Sequence, residues 1–179
     1  PRYFGAGYTK VYIERMCEFF AGISSTKFTA IRHSNIYGPY DKFDLERSHV
    51  FGATVTKVMT SKDRIVVWGT GDEERDLLYI DDLIDFVLFA IQNQEDKYNL
   101  LNCGSGNAIS IKDLVEKIVK ASGKELDIEH DWSQPTIKTS LAIDSSLAEK
   151  KIGWSPKVDL DEGIARTIRW WKDAIGSNK

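Results

Sequence analysis

The amino-acid sequence predicts an α/β fold, because short extended runs alternate with helical segments along its 179 residues. The clearest extended run begins at Phe28, in the stretch FTAIRHSNIYGPYDKF, where apolar and polar residues alternate. Gly38 and Pro39 end regular structure a few residues later. Ligands usually bind at the carboxyl ends of strands in open α/β sheets, so this stretch predicts a ligand-binding loop. No repeat or long linker divides the chain, which predicts one unit over residues 1–179.

The remaining elements follow from apolar periodicity and from residues that start or stop a helix. The predicted helices are Tyr8 to Ala21 (stopped by Gly22), Leu45 to Thr60, Asp81 or Asp82 to about Gln92, Ile111 to Ser122 (opened by Ser110 and Asp113, stopped by Gly123), Asp144 to Gly153, and Glu162 to Ile175 (started by Asp161). The predicted strands or extended pieces are Ile65 to Trp68, Leu77 to Ile80, Tyr98 to Cys103, and Leu126 to His130.

Composition excludes several classes of function. The net charge is −3, and 24 basic and 27 acidic residues are spread along the chain without a basic stripe, so nucleic acid is not an expected partner. The longest apolar run, Phe86 to Ile91, is too short to span a membrane, and no signal-peptide pattern opens the sequence. No His or Cys spacing predicts a metal site. We expect a cytoplasmic protein.

Two further features concern the redox state of the cysteines and the relation of this chain to a longer protein. Cys17 and Cys103 are compatible with one disulfide or with two reduced thiols, and reduced thiols are the expectation for a cytoplasmic protein. The sequence begins at Pro1 without an initiator Met, which suggests a fragment of a longer protein.

Five motifs in register carry a family resemblance. They are Tyr8-Thr9-Lys10, Asn35-Ile36-Tyr37-Gly38-Pro39, Ser48-His49-Val50, Trp68-Gly69-Thr70-Gly71, and Arg75-Asp76-Leu77-Leu78-Tyr79-Ile80-Asp81-Asp82. In this order they resemble the extended short-chain dehydrogenase/reductases of the NAD-dependent epimerase/dehydratase family, above all the GDP-L-fucose synthase-like nucleotide-sugar enzymes. The resemblance covers only the C-terminal half of such proteins. It implies the late strands of a Rossmann sheet plus a small mixed α/β lobe for the substrate, with the glycine-rich cofactor loop upstream of Pro1.

The resemblance implies a catalytic role for Lys10. In the family, a Tyr four residues before this Lys lies one helical turn away, where the ammonium favours the phenolate needed for proton transfer. The Lys also holds the nicotinamide ribose. Ala6 occupies the usual Tyr position here, and Tyr8 lies on the opposite side of the helix. Either the chain is a variant whose catalytic Tyr was removed, which we favour, or the natural protein does not use that base.

Other site residues are also carried over from the resemblance. His33, Ser34, Asn35 and Ile36 would lie along the nicotinamide end of NAD or NADP, with His49 beside the cofactor. His49 would also act as a general acid, since an imidazole can give or take a proton near neutral pH. The substrate would be contacted by Lys57, Trp68, Arg75 and Lys138. A guanidinium suits a diphosphate because it donates in a planar fork.

Two glycine clusters are not expected to bind phosphate. Gly69-Thr70-Gly71 is followed by three acidic residues that would repel an anion. Gly104-Ser105-Gly106 lies between a strand and a helix, but Ile109 occupies the third glycine position of a dinucleotide motif. We interpret the second cluster as a turn beside the ligand cleft.

These observations predict NAD(P)-dependent epimerisation or reduction of a nucleotide-linked hexose, with a GDP-sugar as the expected substrate and a homodimer formed through the Lys10 helix. The alternatives within the class are a 4,6-dehydratase and a 4-epimerase. An alternative of another class is a non-catalytic nucleotide-binding or dimerisation module. Ala6 and the missing cofactor loop favour this last alternative for the isolated chain, which as written is expected to be inactive.

Overall fold

The computed structural model describes residues 4–45, 47–134 and 139–176. Within these residues the chain forms six helices, which are α1 Phe4–Ile23, α2 Val50–Thr60, α3 Ile80–Asn93, α4 Ile111–Ser122, α5 Ser146–Ile152 and α6 Leu160–Ala174. The strands are β1 Phe28–His33, β2 Asn35–Tyr37, β3 Arg64–Trp68, β4 Glu74–Tyr79, β5 Tyr98–Cys103, β6 Ala108–Ser110 and β7 Asp127–Asp131. The predicted α/β class is confirmed.

Parallel pairing dominates the strands. β1 pairs parallel with β5, from Phe28 opposite Tyr98 to His33 opposite Cys103. β2 pairs parallel with β4, and β6 joins the other side of β4 in the antiparallel sense. β3 pairs parallel with β7 in a separate two-stranded sheet. β1 and β2 are separated only by Ser34, so the chain passes directly from one sheet into the next.

Local signals predicted α4 correctly at both ends. The Ser110 hydroxyl accepts a hydrogen bond from the backbone N–H of Asp113 (3.0 Å), which satisfies one free donor of the first turn. Gly123 ends the helix in the left-handed conformation (φ 76°), as a helix-stopping glycine does. Between these ends, Ile111, Leu114 and Ile118 are buried along one face.

Several predicted boundaries were wrong. The predicted ligand loop begins as strand β2, and β6 was not predicted at all. The predicted helix start at Leu45 is wrong, because α2 begins only at Val50. Side-chain bonds hold the preceding residues in a loop instead: the Ser48 hydroxyl accepts from the Asp44 N–H and donates to the carbonyl of Lys42.

The predicted capping of α3 by Asp81 or Asp82 is also wrong. Tyr79 is the N-cap residue of α3, and both aspartates lie in the first turn. The buried Asp82 carboxylate instead accepts backbone N–H bonds from Lys157 (3.0 Å) and Val158 (3.1 Å). This aspartate therefore fixes the segment that leads into α6.

The core consists of two clusters of buried side chains. The larger cluster joins α2, α4 and α6 to β2, β3 and β4, and includes Tyr37, Phe51, Leu114 and Ile164. The smaller cluster joins α3, α5 and β5 around Phe86 and Trp154. The larger cluster packs against the end of β2. This packing holds in position the strand on which predicted site residues lie.

Helix α1 is the most exposed apolar element. Its aromatic side chains Tyr8, Tyr12 and Phe19 are each more than half exposed, and Ala21 is its one buried residue among those described. The described helices include none with the length and apolar character needed to cross a membrane.

Candidate functional site

A large cleft of about 1370 Å³ opens beside the end of β1 and along β2. Seven of the predicted site residues line it: Lys10, His33, Ser34, Asn35, Ile36, His49 and Arg75. They come from α1, β1, β2, the loop before α2 and β4. The fold therefore brings together residues that lie up to 65 positions apart in the sequence.

Lys10 reaches the cleft because α1 is fixed against β1. The Arg32 guanidinium donates two hydrogen bonds, both 2.7 Å, to the two carboxylate oxygens of Glu14 on α1. This paired arrangement lowers the pKa of Glu14 below its ordinary value. Tyr8 is 66 % exposed and is not among the cleft-lining residues, as expected from its place two residues before Lys10.

The turn from β1 into β2 presents three polar groups to the cleft. His33 Nδ1 lies 2.7 Å from the carbonyl oxygen of Ser34 and donates to it, because a carbonyl can only accept; Nε2 is then the acceptor of the neutral ring. Ser34 is 7 % exposed, and its hydroxyl has no hydrogen-bond partner. The amide nitrogen of Asn35 donates to the carbonyl of Asp76 (3.1 Å), which fixes the orientation of the amide.

Asp76, on the strand next to β2, holds the adjoining wall of the cleft together, a role that sequence reasoning missed. Its side chain is buried, and its Oδ1 accepts from both the N–H and the hydroxyl of Ser105, at 2.9 and 2.7 Å. Its Oδ2 accepts from the N–H groups of Gly106 (3.2 Å) and Ile143 (2.8 Å). One carboxylate thus joins β4, the loop after β5 and the segment before α5.

This arrangement explains the second glycine cluster. Gly106 has φ 75°, and a Cβ on Gly104 would lie 2.7 Å from Asp76 Oδ2, so glycine is needed for the loop to close over the carboxylate. The backbone N–H groups of Ser105 and Gly106, which could otherwise receive a phosphate, are taken by Asp76. The loop is a turn beside the cleft, as its sequence predicted.

Arg75 precedes Asp76 in β4 and lines the cleft. We call Asp76 and the groups that its carboxylate binds the Asp76 clamp. Its Nη1 donates to the carbonyl of Glu74 (2.7 Å) and to the hydroxyl of Thr139 (2.5 Å). Among the described residues it forms no ion pair with the acidic residues around it, from Asp72 to Asp76. The guanidinium therefore keeps donors for an anionic ligand.

His49 is the N-cap residue of α2, and its side chain makes no capping bond there. The imidazole is exposed on the cleft, while the neighbouring Ser48 ties the loop in place. An exposed imidazole that lines a cleft can exchange a proton with a ligand there.

The predicted nucleotide-sugar contacts divide into two locations. Lys57 and Trp68 are not among the described residues that line the cleft. They contact each other, with the Lys57 ammonium 5.6 Å from the centre of the Trp68 ring. Lys138 lies outside the described residues. Of the three members of this set that the structure describes, Arg75 alone lines the cleft with Lys10 and His49.

The described residues contain no cluster of His, Cys, Asp and Glu side chains able to hold a metal ion. Both cysteines are free thiols, Cys17 on α1 and Cys103 at the end of β5. Burial raises the pKa of the Cys103 thiol to about 12, with a smaller contribution from the carboxylates of Asp82 and Asp76.

The difference in burial predicts selective alkylation. We expect iodoacetamide at pH 8 to label the folded chain only at Cys17, because Cys103 is buried and remains a neutral thiol, whereas the thiolate is the reactive form. Mass spectrometry of the labelled peptides measures this. A Cys17→Ser variant serves as control and should take label only after unfolding; label on that variant in the folded state would contradict the expectation.

Comparison with known proteins agrees with this geometry. Residues 6–104, more than half of the chain, match the model of the NAD dependent epimerase/dehydratase family. The chain belongs to this family. The match extends from α1 through β5 and includes every described cleft residue named above from Lys10 to Asp76.

Members of the family include close relatives of this chain. It is 31 % identical to GDP-L-colitose synthase from Yersinia pseudotuberculosis over 93 % of its own length and 56 % of the relative's. It is 34 % identical to a probable GDP-L-fucose synthase 1 from Oryza sativa subsp. japonica over 89 % of its length and 52 % of the relative's. The chain therefore spans about half the length of the curated relatives that it matches.

A solved structure of the same family shows the same fold. UDP-glucose 4-epimerase from Thermotoga maritima, crystallised with UDP-glucose, superposes with a TM-score of 0.83 and 25 % identity, over 94 % of this chain and 53 % of the epimerase. The fold is thus that of the Rossmann-type epimerases and dehydratases.

The cofactor of this family is NAD or NADP, and the cleft fits one end of it. The buried Ser34 hydroxyl without a partner, the free Asn35 amide oxygen and the Lys10 ammonium are hydrogen-bonding groups suited to a carboxamide and a ribose. The loop Gly104-Ser105-Gly106 does not fit the pyrophosphate of the cofactor, because the Asp76 carboxylate already accepts from its N–H groups.

Proposed function

We propose that this chain forms one unit that supplies the substrate-binding half of an NAD(P)-dependent enzyme acting on a nucleotide-linked hexose. The observation that carries the proposal is the single cleft that gathers Lys10, Asn35, His49 and Arg75. The reaction class is epimerisation and reduction of a GDP-sugar, which is supported by the two relatives whose names give GDP-linked sugars. The enzyme is proposed to act in the cytoplasm.

Each residue would have a distinct task in this reaction. Arg75 binds the diphosphate through its planar donors. Lys10 and Asn35 hold the ribose and carboxamide of the cofactor, and Ser34 bonds the same end. His49 gives a proton to a carbon of the sugar, or takes one from it, during epimerisation. When bound, the nicotinamide group supplies hydride exchange with a sugar carbon.

We also propose that a second copy of the chain covers the outer face of α1. This face carries the exposed side chains of Tyr12 and Phe19, and such a surface is costly to leave in water. A homodimer with α1 at its centre would bury it while leaving Lys10 on the cleft.

A titration tests the function. The natural polypeptide that carries this chain is expected to bind GDP-L-fucose and NADP, measured by isothermal titration calorimetry. Arg75→Lys is expected to weaken GDP-L-fucose binding about tenfold, because the ammonium keeps the charge but loses the planar fork. Arg64→Lys is the matched control, since Arg64 pairs with Glu129 away from the cleft and should leave binding unchanged.

The outcomes separate the alternatives. Tighter binding of UDP-glucose than of GDP-L-fucose would favour a 4-epimerase or dehydratase acting on another nucleotide sugar. Binding of nucleotide without turnover would favour the non-catalytic module, which Ala6 supports. If neither GDP-L-fucose, UDP-glucose nor NADP binds, the proposal is wrong.

A further inference from the structure

We propose that Tyr40, Asp41 and Trp170 form the subsite that binds the hexose ring of the nucleotide sugar, an inference that rests on the proposed function. These three residues line the same cleft as Lys10, His49 and Arg75. Tyr40 and Asp41 follow β2 after Gly38 and Pro39, and Trp170 belongs to α6, over one hundred residues later. None of them is among the site residues named individually from the sequence, although Tyr40 and Asp41 lie in the stretch that predicts a ligand-binding loop.

Tyr40 is held in a costly conformation for no evident benefit to packing. It is the one non-glycine residue among those described with a positive φ, at 66°, and its side chain is 86 % exposed. A left-handed conformation at a bulky residue costs on the order of 1 kcal/mol or more, and such strain concentrates at ligand sites. An exposed ring does not offset this cost through burial.

The loop that carries Tyr40 is fixed from two sides. The carbonyl of Lys42 lies so close to Gly52 on α2 that a Cβ there would overlap it. The Ser48 hydroxyl donates to the same carbonyl, and Ser48 precedes His49. The backbone segments that carry Tyr40 and His49 are therefore joined through Lys42 and Ser48.

Trp170 provides the second aromatic surface. Its ring centre lies 4.9 Å from that of Tyr40 and 5.4 Å from that of Phe43, which is not among the cleft-lining residues. Aromatic rings offer an apolar face on which the C–H face of a sugar can pack. Tyr40 and Trp170 together form such a surface at the rim of the cleft.

Asp41 supplies a hydrogen-bond acceptor beside these rings. Its Oδ1 accepts from the N–H of Lys42 (2.7 Å), whereas Oδ2 is shielded from solvent and has no partner. Oδ2 lies against Gly52 of α2, but Asp41 lines the cleft and a carboxylate oxygen can accept more than one hydrogen bond, so Oδ1 can also accept from a sugar hydroxyl. Asp81 lines the same cleft and lies 3.5 Å from the guanidinium of Arg166. A carboxylate such as that of Asp41 disfavours a phosphate and accepts hydrogen bonds from the hydroxyls of a neutral sugar.

We therefore assign the diphosphate and the sugar of one nucleotide sugar to different residues of the cleft. Arg75 suits the diphosphate, and the aromatic and acidic groups suit the sugar. His49 is attached to the loop that bears the sugar subsite, which is where a proton donor to a sugar carbon is needed.

A glycine substitution tests this subsite without weakening the fold. Tyr40→Gly removes the ring and also relieves the strain of the positive φ, so the melting temperature is expected to stay the same or rise. In the natural polypeptide that carries this chain, calorimetric affinity for GDP-L-fucose is expected to fall roughly five- to tenfold. Affinity for GDP, which lacks the sugar, is expected to remain unchanged.

The control is Trp132→Ala, which removes another exposed aromatic side chain that does not line the cleft and should change neither affinity. An unchanged affinity of Tyr40→Gly for GDP-L-fucose would overturn the subsite while leaving the proposed function intact. An equal loss of GDP affinity would also overturn it, because the base would then lie on these rings. If the unsubstituted protein binds neither ligand, the proposed function fails and the subsite with it.

Discussion

Asp76→Ala is expected to lower the free energy of unfolding by about 3 kcal/mol or more, because several buried donors lose their acceptor at once and each such loss costs on the order of 1–3 kcal/mol. The donors are the N–H groups of Ser105, Gly106 and Ile143 and the Ser105 hydroxyl. Urea unfolding followed by circular dichroism measures the change. The site should also lose ligand affinity, since Arg75 is adjacent to the clamp.

Two further variants test whether the loss of stability is caused by removal of the carboxylate at position 76. Asp76→Asn keeps one side-chain oxygen and should recover part of the stability. Asp72→Ala removes an exposed carboxylate from the same strand-loop region and should change stability by less than about 0.5 kcal/mol. Equal free energies of unfolding for Asp76→Ala and Asp72→Ala would show that the hydrogen bonds of the Asp76 clamp do not stabilise the fold.

Ala6→Tyr is expected to raise turnover of the proposed reaction by roughly 10²- to 10⁴-fold, the usual contribution of a positioned acid or base. Ala6 is exposed on α1, one helical turn before Lys10, so a phenol there can reach the same face as the ammonium. The assay is the change in NADPH absorbance with a GDP-sugar substrate, in the natural polypeptide that carries this chain.

Gly5→Tyr is the matched control for this gain. A Cβ on Gly5 meets nothing within 4 Å, so the same side chain can be placed there without a clash, but it points away from the Lys10 face. It should leave turnover unchanged. No gain from Ala6→Tyr, or an equal gain from both variants, would mean that a Tyr at this position does not act as the base of the proposed reaction.

Local signals were sufficient where a structure depends on neighbouring residues. Ser110 and Gly123 are within one turn of the helix ends that they fix, so both boundaries of α4 could be predicted. The predicted grouping of Lys10, Asn35, His49 and Arg75 agrees with the cleft, because their spacing matched a known family pattern. Their individual roles remain predictions.

Features that depend on distant residues could not be predicted. Asp76 bonds to Ser105 and Ile143, which lie 29 and 67 residues away, and nothing around Asp76 in the sequence indicates those partners. Trp170 similarly meets Tyr40 only because α6 packs against the larger core cluster. The family resemblance grouped Lys57 and Trp68 with Arg75, whereas the structure places Lys57 on α2 in contact with Trp68 on β3.

The carboxylate of Asp76 binds the N–H groups of the turn in the way that a bound phosphate would. Turns of this kind attract anions from solution because their N–H groups converge, and here the protein provides that anion covalently. The N–H groups of Ser105 and Gly106 are therefore not free to bind a phosphate from solution. In the proposed function the diphosphate binds instead at Arg75, on the strand that carries Asp76.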